Sequence, residues 1–295
     1  MHTSLSLTSR GHSLDPSSET FGELRSSAAQ LDDVAALRAN LAEDGYLFLP
    51  GFFHRDEVLA GRDEFLRRLR GKGALHSDLP EYEGIASTEV VTVSQAEAMR
   101  GNEAVRKIVF SSALTGFYER LLGGPIRAYD HVWVRLIRPG WGTAPHCDLP
   151  YMGRGTRQVM TAWIPYRDTS LELGGLIMLE KSHLQANRIH KYLNNDADTF
   201  CVNRNAYRHM PSHLSSNPVS LREKFGGRWL TTEFRAGDLL TFGMTTIHAS
   251  LDNQTAAYRL STDTRYQLAS EPIDERWVGS DTHEWAEKNR VNQIC

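Results

Sequence analysis

The feature that most constrains this fold is a change of character near residue 125. Before it, apolar residues recur mainly at helical spacing. After it, short strand-like runs recur between turn signals, at 126–137, 159–166, 176–179, 229–234, 238–242 and 258–267. Helices first and many short strands afterwards point to a β-sandwich or barrel buttressed by helices. A length of 295 residues fits two domains or one large one. No Pro/Gly/Ser-rich linker separates the two parts, so the expectation is one domain over 31–295. Residues 1–30 are rich in Ser and Thr and lack an apolar run, which predicts a flexible tail. The polar stretch near 188–226 shows no clear period and reads as a lid insert; it carries a basic excess.

Within the first half, residues 31–41 read as a helix stopped at Gly45, and 46–49 as a strand closed by Pro50-Gly51. Residues 56–69 read as an amphipathic helix and 72–84 as a loop. Residues 88–93 read as a strand, and 102–122 as one long helix ending at Gly123-Gly124.

Charge and cysteine usage exclude several function classes. Lys and Arg number 33 against 36 Asp and Glu, a net charge of −3. That balance argues against a nucleic-acid surface. No run approaches the roughly 20 apolar residues of a membrane helix. The three cysteines, Cys147, Cys201 and Cys295, are widely spaced and form no Cys-x-x-Cys, so neither a disulfide framework nor a cysteine zinc site is expected. These observations predict a cytoplasmic protein, monomer or homodimer, with a small-molecule substrate and with neither nucleic acid nor membrane as partner.

The chemistry concentrates in two places. His146-Cys147-Asp148 follows a strand-like run and the turn at 138–142. On an extended chain, positions two apart face the same side, so imidazole and carboxylate can share an ion. About a hundred residues later, a turn and strand lead into His248, and Arg259 follows eleven residues after that in an alternating strand. Two histidines and one carboxylate on one face of a metal leave open positions opposite, the arrangement suited to non-haem Fe(II) oxygenases. A guanidinium nearby can grip a carboxylate bidentately. No nucleophile motif is present, and no catalytic residue beyond metal ligands is needed.

The order His-x-Asp, distal His, Ser two residues later and Arg eleven residues later resembles the phytanoyl-CoA dioxygenase family of Fe(II)/2-oxoglutarate oxygenases. Asp44-Gly45-Tyr46-Leu47-Phe48-Leu49-Pro50-Gly51-Phe52 is similar to its opening strand. His146-Cys147-Asp148-Leu149-Pro150-Tyr151 resembles its metal strand. The stretch from Gly174-Gly175 to Ser182-His183, and then Gly237-Asp238 and Arg259 to Tyr266, resemble its later strands. One departure is Glu180-Lys181, where the family has Pro-Gly.

The resemblance implies a mainly β fold with flanking α-helices around a double-stranded β-helix core, jelly-roll and cupin-like. It implies Fe(II) held by His146, Asp148 and His248, and 2-oxoglutarate held by Arg259 with help from Ser250 and Trp163. It also implies consumption of O2 and release of succinate and CO2. Halogenases that resemble this family carry Ala or Gly at the carboxylate position, so Asp148 favours hydroxylation of an aliphatic C–H of a small organic or acyl substrate. Tyr151, Met152, Trp141 and His131 are the candidate substrate-pocket residues. Two other readings stay open at this point: a non-catalytic ligand-binding barrel, and a cupin-type metalloenzyme that does not use 2-oxoglutarate.

Overall fold

Successive side chains of a strand point to opposite faces, and here both faces are covered: the main strands are buried at nearly every position, one set between two facing sheets and the other against helices. The computed structural model describes residues 6–197, 213–280 and 282–283. The strands are β1 (Thr8–Ser9), β2 (His12–Ser13), β3 (Phe21–Glu23), β4 (Tyr46–Leu49), β5 (Ile126–Ala128) and β6 (Trp133–Ile137). They continue with β7 (Met160–Pro165), β8 (Leu176–Leu179), β9 (Trp229–Thr231), β10 (Leu239–Gly243), β11 (His248–Ser250) and β12 (Arg259–Leu268). The helices are α1 (Val34–Asp44), α2 (Arg55–Gly71), α3 (Gln95–Met99), α4 (Glu103–Val109), α5 (Ser112–Leu122), α6 (Leu149–Met152), α7 (His190–Leu193) and α8 (Pro218–Phe225).

The larger sheet runs β4-β10-β7-β12-β5, with β6 also pairing β12. The smaller runs β11-β8-β9-β3. Tyr46 and Phe48 of β4, Trp163 of β7, and Leu240 and Phe242 of β10 meet Leu176 and Met178 of β8 between the sheets. The alternate residues Leu47, Leu49, Ala162, Ile164, Leu239 and Tyr266 pack on the other face against helices α1, α2, α4 and α5. Stacking of Tyr118 on Tyr266 and the Tyr118–Thr241 hydroxyl pair tie α5 to that face. The outer face of the smaller sheet is covered by Leu7, Leu14, α6, α7 and α8. This is an open jelly roll with flanking helices, as the family resemblance implied.

Four expectations change. Residues 6–30 are not a flexible tail. β1 and β2 pair with each other, and β3 adds in parallel to β9. The Asp252 carboxylate accepts the backbone N–H groups of Arg10 and Gly11, both at 2.8 Å. Two-residue strands have no readable period, and their anchor lies more than 200 residues away in sequence. The stretch 88–93 forms no strand, because its β-branched residues find no sheet edge. The long helix at 102–122 is two: Phe110 leaves helical geometry, and the Ser111 side chain caps α5 by accepting Leu114 N–H. The run 126–137 is divided into β5 and β6, where the amides of Asp130 and His131 turn aside to the Trp277 carbonyl. In the expected lid, α7 and α8 stand on either side of 198–212, which lies outside the described residues together with Cys201 and Cys295.

Candidate metal centre

The two histidines meet because their backbones form a bridge. His146 N–H donates to the His248 carbonyl at 2.9 Å, and His248 N–H returns the bond at 3.0 Å. β11 is held on its other side by β8, with His248 opposite Met178. The imidazole centroids are 4.2 Å apart. Asp148 stands just before α6, and its Oδ1 lies 3.8 Å from His146 Nε2 and 3.7 Å from His248 Nε2. One ligand atom from each of the three residues lies within 4.8 Å of the others, and all three residues are buried.

Hydrogen bonds fix which atoms face the common point. His146 Nδ1 lies 2.8 Å from the Ala144 carbonyl, and His248 Nδ1 lies 3.0 Å from that of Thr246. A carbonyl can only accept, so Nδ1 carries the proton in both rings and each Nε2 presents a lone pair. Burial holds both rings neutral: it pushes His146 down to about 3, helped by His248, and lowers His248 as well. Burial raises the Asp148 carboxyl, but Arg265, the two imidazoles and Thr161 outweigh it and hold it below the ordinary range. Two neutral imidazoles and one carboxylate are the donor set of a divalent iron site.

Beside the triad is a cavity lined by Arg135, Thr143, His146, Trp163, Leu176, Phe242, His248, Arg259 and Asp263. Arg259 Nη1 donates to the Gly174 carbonyl at 2.6 Å, while its buried Nε has no hydrogen-bond partner. Burial, reinforced by Arg135, pushes this guanidinium down to about 9 against the pull of Asp263. It is still a cation at neutral pH, and a buried cation with an unsatisfied donor fits an anionic ligand. Trp163 Nε1 is likewise buried and unpartnered on the cavity wall. In donor chemistry these residues suit a metal ion and an oxygen-rich dianion.

The remaining expected site residues fall elsewhere. The Ser250 hydroxyl accepts Thr143 N–H at 2.7 Å, so it holds a wall residue and does not itself line the cavity. Tyr151 packs edge-on to His146 at 5.8 Å. The Met152 sulfur accepts Arg265 Nε–H at 3.0 Å. His131 lies among Trp133, Trp277 and His283 at 4.2–5.0 Å. Trp141 is 59% exposed in the turn after β6. None of these four lines the cavity. Sequence reasoning missed Thr143, Thr161, Asp263 and Arg265. The signal was present on β12, where Arg259, Ser261, Asp263 and Arg265 recur every second residue on one face between residues of the helix-facing core.

The sequence pattern of the phytanoyl-CoA dioxygenase (PhyH) family matches residues 41–261, a span that contains the triad and Arg259. The chain belongs to the phytanoyl-CoA dioxygenase family. This is the group of Fe(II)/2-oxoglutarate oxygenases that its motifs resemble, and the chain is an enzyme of that class. It is similar to the 1-deoxypentalenic acid 11-beta-hydroxylase of Streptomyces exfoliatus, 28% identical over 81% of this chain and 83% of that one. Its counterpart from Streptomyces arenae is 27% identical over 85% and 87%.

Solved structures show the same fold. EctD from S. alaskensis, with 2-oxoglutarate and 5-hydroxyectoine, superposes with a TM-score of 0.56 at 15% identity, over 94% of this chain and 89% of that one. The epimerase SnoN, in complex with Fe3+, alpha ketoglutarate and nogalamycin RO, gives 0.54 at 21% identity, over 82% and 86%.

Proposed function

We propose that this family member is a hydroxylase of an aliphatic C–H bond in a small organic or acyl substrate, releasing succinate and CO2 from 2-oxoglutarate. One observation carries the reading: the two neutral imidazoles of a buried His-Asp-His donor set line the same cavity as the buried Arg259 with its unsatisfied Nε. When bound, iron and 2-oxoglutarate supply dioxygen activation and the oxidising power for the C–H bond. The chain's own groups hold, orient and exclude water. His146 and His248 would ligate through Nε2 and Asp148 through Oδ1. Arg259 would bind the distal carboxylate of the cosubstrate, with its Gly174 bond fixing the guanidinium plane. Trp163 Nε1 would donate to a cosubstrate oxygen. Ser250 would act through the Thr143 amide that it anchors.

Two curated relatives named for hydroxylation of 1-deoxypentalenic acid support hydroxylation of a small carbon skeleton. Among the described residues, no helix is long and apolar enough to cross a membrane. One domain that takes in residues 6–30 together with the expected 31–295, a lid near 188–226, a monomer or homodimer and a cytoplasmic location complete the proposal.

The test is turnover under 18O2 with a panel of small organic acids and acyl thioesters. The expected result is succinate carrying one labelled oxygen, formed in step with a hydroxylated product carrying another. A product formed without succinate would overturn the reading.

A further inference from the structure

Asp148 has two oxygens in different surroundings. Oδ1 faces the two imidazoles, at 3.7 and 3.8 Å from their Nε2 atoms. Oδ2 accepts two hydrogen bonds from the opposite side, from the Thr161 hydroxyl and from Arg265 Nη2 at 3.0 Å. Thr161 and Arg265 are direct cross-strand partners of β7 and β12, so the sheet presents both donors to one oxygen.

Arg265 is itself held on every side. Nη1 donates to Asp263 Oδ2 at 3.1 Å, Nε donates to the Met152 sulfur at 3.0 Å, and the guanidinium lies 4.5 Å over the Trp133 ring. Asp263 in turn is gripped by two of the three Arg135 guanidinium nitrogens, Nε at 3.1 Å and Nη2 at 3.0 Å. The whole assembly is nearly or fully buried. A guanidinium locked in this way cannot follow the carboxylate if it rotates.

We infer that Arg265, seconded by Thr161, is a positioning residue that occupies Asp148 Oδ2 and so confines the carboxylate to one ligand atom, Oδ1. A carboxylate that gave both oxygens to the metal would compete for one of the three positions that a chelating keto acid and dioxygen together need. The clamp therefore keeps adjacent positions open for 2-oxoglutarate. This rests on reading the triad as metal ligands.

The test uses Co(II) as an anaerobic, spectroscopically visible probe of the full-length chain. Wild type, Arg265→Met, Arg265→Lys and Thr161→Val are titrated with Co(II) and then with 2-oxoglutarate. Outer hydrogen-bond partners of metal ligands are typically worth about 10–100-fold in affinity or activity. The expected result is 2-oxoglutarate affinity weakened about 10-fold in Thr161→Val and closer to 100-fold in Arg265→Met. Co(II) affinity should fall much less, and the visible Co(II) band should change before 2-oxoglutarate is added. Arg265→Lys, which keeps the charge but loses the fork, should lie between wild type and Arg265→Met.

If Arg265 only satisfies buried carboxylates, Co(II) affinity and melting temperature fall together and the loaded protein binds 2-oxoglutarate as wild type does. That result overturns the inference. Should Arg265→Met not fold, Thr161→Val decides, because it removes one hydroxyl without disturbing the charged network. A wild type that binds neither Co(II) nor 2-oxoglutarate overturns the triad reading itself, and the clamp with it.

Discussion

At the residue scale, the triad is built so that no proton has to leave when a metal enters. Burial and the Nδ1 bonds to the Ala144 and Thr246 carbonyls hold both rings neutral with Nε2 free. Both histidine pKa values are lowered, so the neutral form persists to more acidic pH than usual. At pH 6, two ordinary histidines would release about 1.5 protons on ligating a metal. This site should release far fewer, measured as equal binding enthalpies in two buffers of different ionisation heat. Arg259 gives the opposite kind of prediction. Its buried charge has an unsatisfied donor, so Arg259→Met should raise the melting temperature of the metal-free chain. A gain of about 1 kcal/mol corresponds to about 2–4 °C in a protein of this size. The same variant should abolish the 2-oxoglutarate-dependent thermal shift. A fall in the metal-free melting temperature would contradict the account of Arg259.

At the element scale, the turn before β8 and the hairpin β1–β2 both serve the metal strands. Gly174 has φ of +87°, and a Cβ there would sit 2.6 Å from the Leu251 carbonyl. Its own carbonyl anchors Arg259. Gly174→Ala should therefore destabilise the chain by about 1–3 kcal/mol and weaken 2-oxoglutarate binding, read by denaturant unfolding and calorimetry. Asp252→Ala removes the acceptor for Arg10 and Gly11. It should cost about 1–3 kcal/mol and speed proteolysis near residue 10.

These elements also mark how far sequence reasoning reaches. β7, β8, β10 and β12 were legible because each is long enough to show period two or a continuous apolar run. β1 and β2 were not, since two residues carry no period and their anchor at Asp252 is remote. The break at Ser111 was hidden because Phe110 continues the apolar pattern while the cap ends the helix. The triad was legible from spacing and family resemblance. The alternation of β12 puts Arg265 on the face of Arg259, but its bond to Asp148 was not legible, because nothing local ties the two together. Only the β7–β12 register does.

At the scale of the whole molecule, His146 and Asp148 precede β7, whereas His248 opens β11 in the opposite sheet. The ion would therefore join segments far apart in sequence. Binding the folded form alone, it should stabilise that form by mass action: about 2.7 kcal/mol when free metal is 100 times Kd. Chelation should reverse the gain. The central claim, that this triad and Arg259 together form an Fe(II)/2-oxoglutarate site, is tested most directly by anaerobic calorimetry. Fe(II) is titrated into wild type, His248→Ala and Arg259→Met, followed by 2-oxoglutarate. The account predicts one Fe(II) per wild-type chain and much weaker Fe(II) binding in His248→Ala. In Arg259→Met it predicts intact Fe(II) binding with 2-oxoglutarate binding lost. Unchanged Fe(II) affinity in His248→Ala, or unchanged 2-oxoglutarate affinity in Arg259→Met, would contradict it.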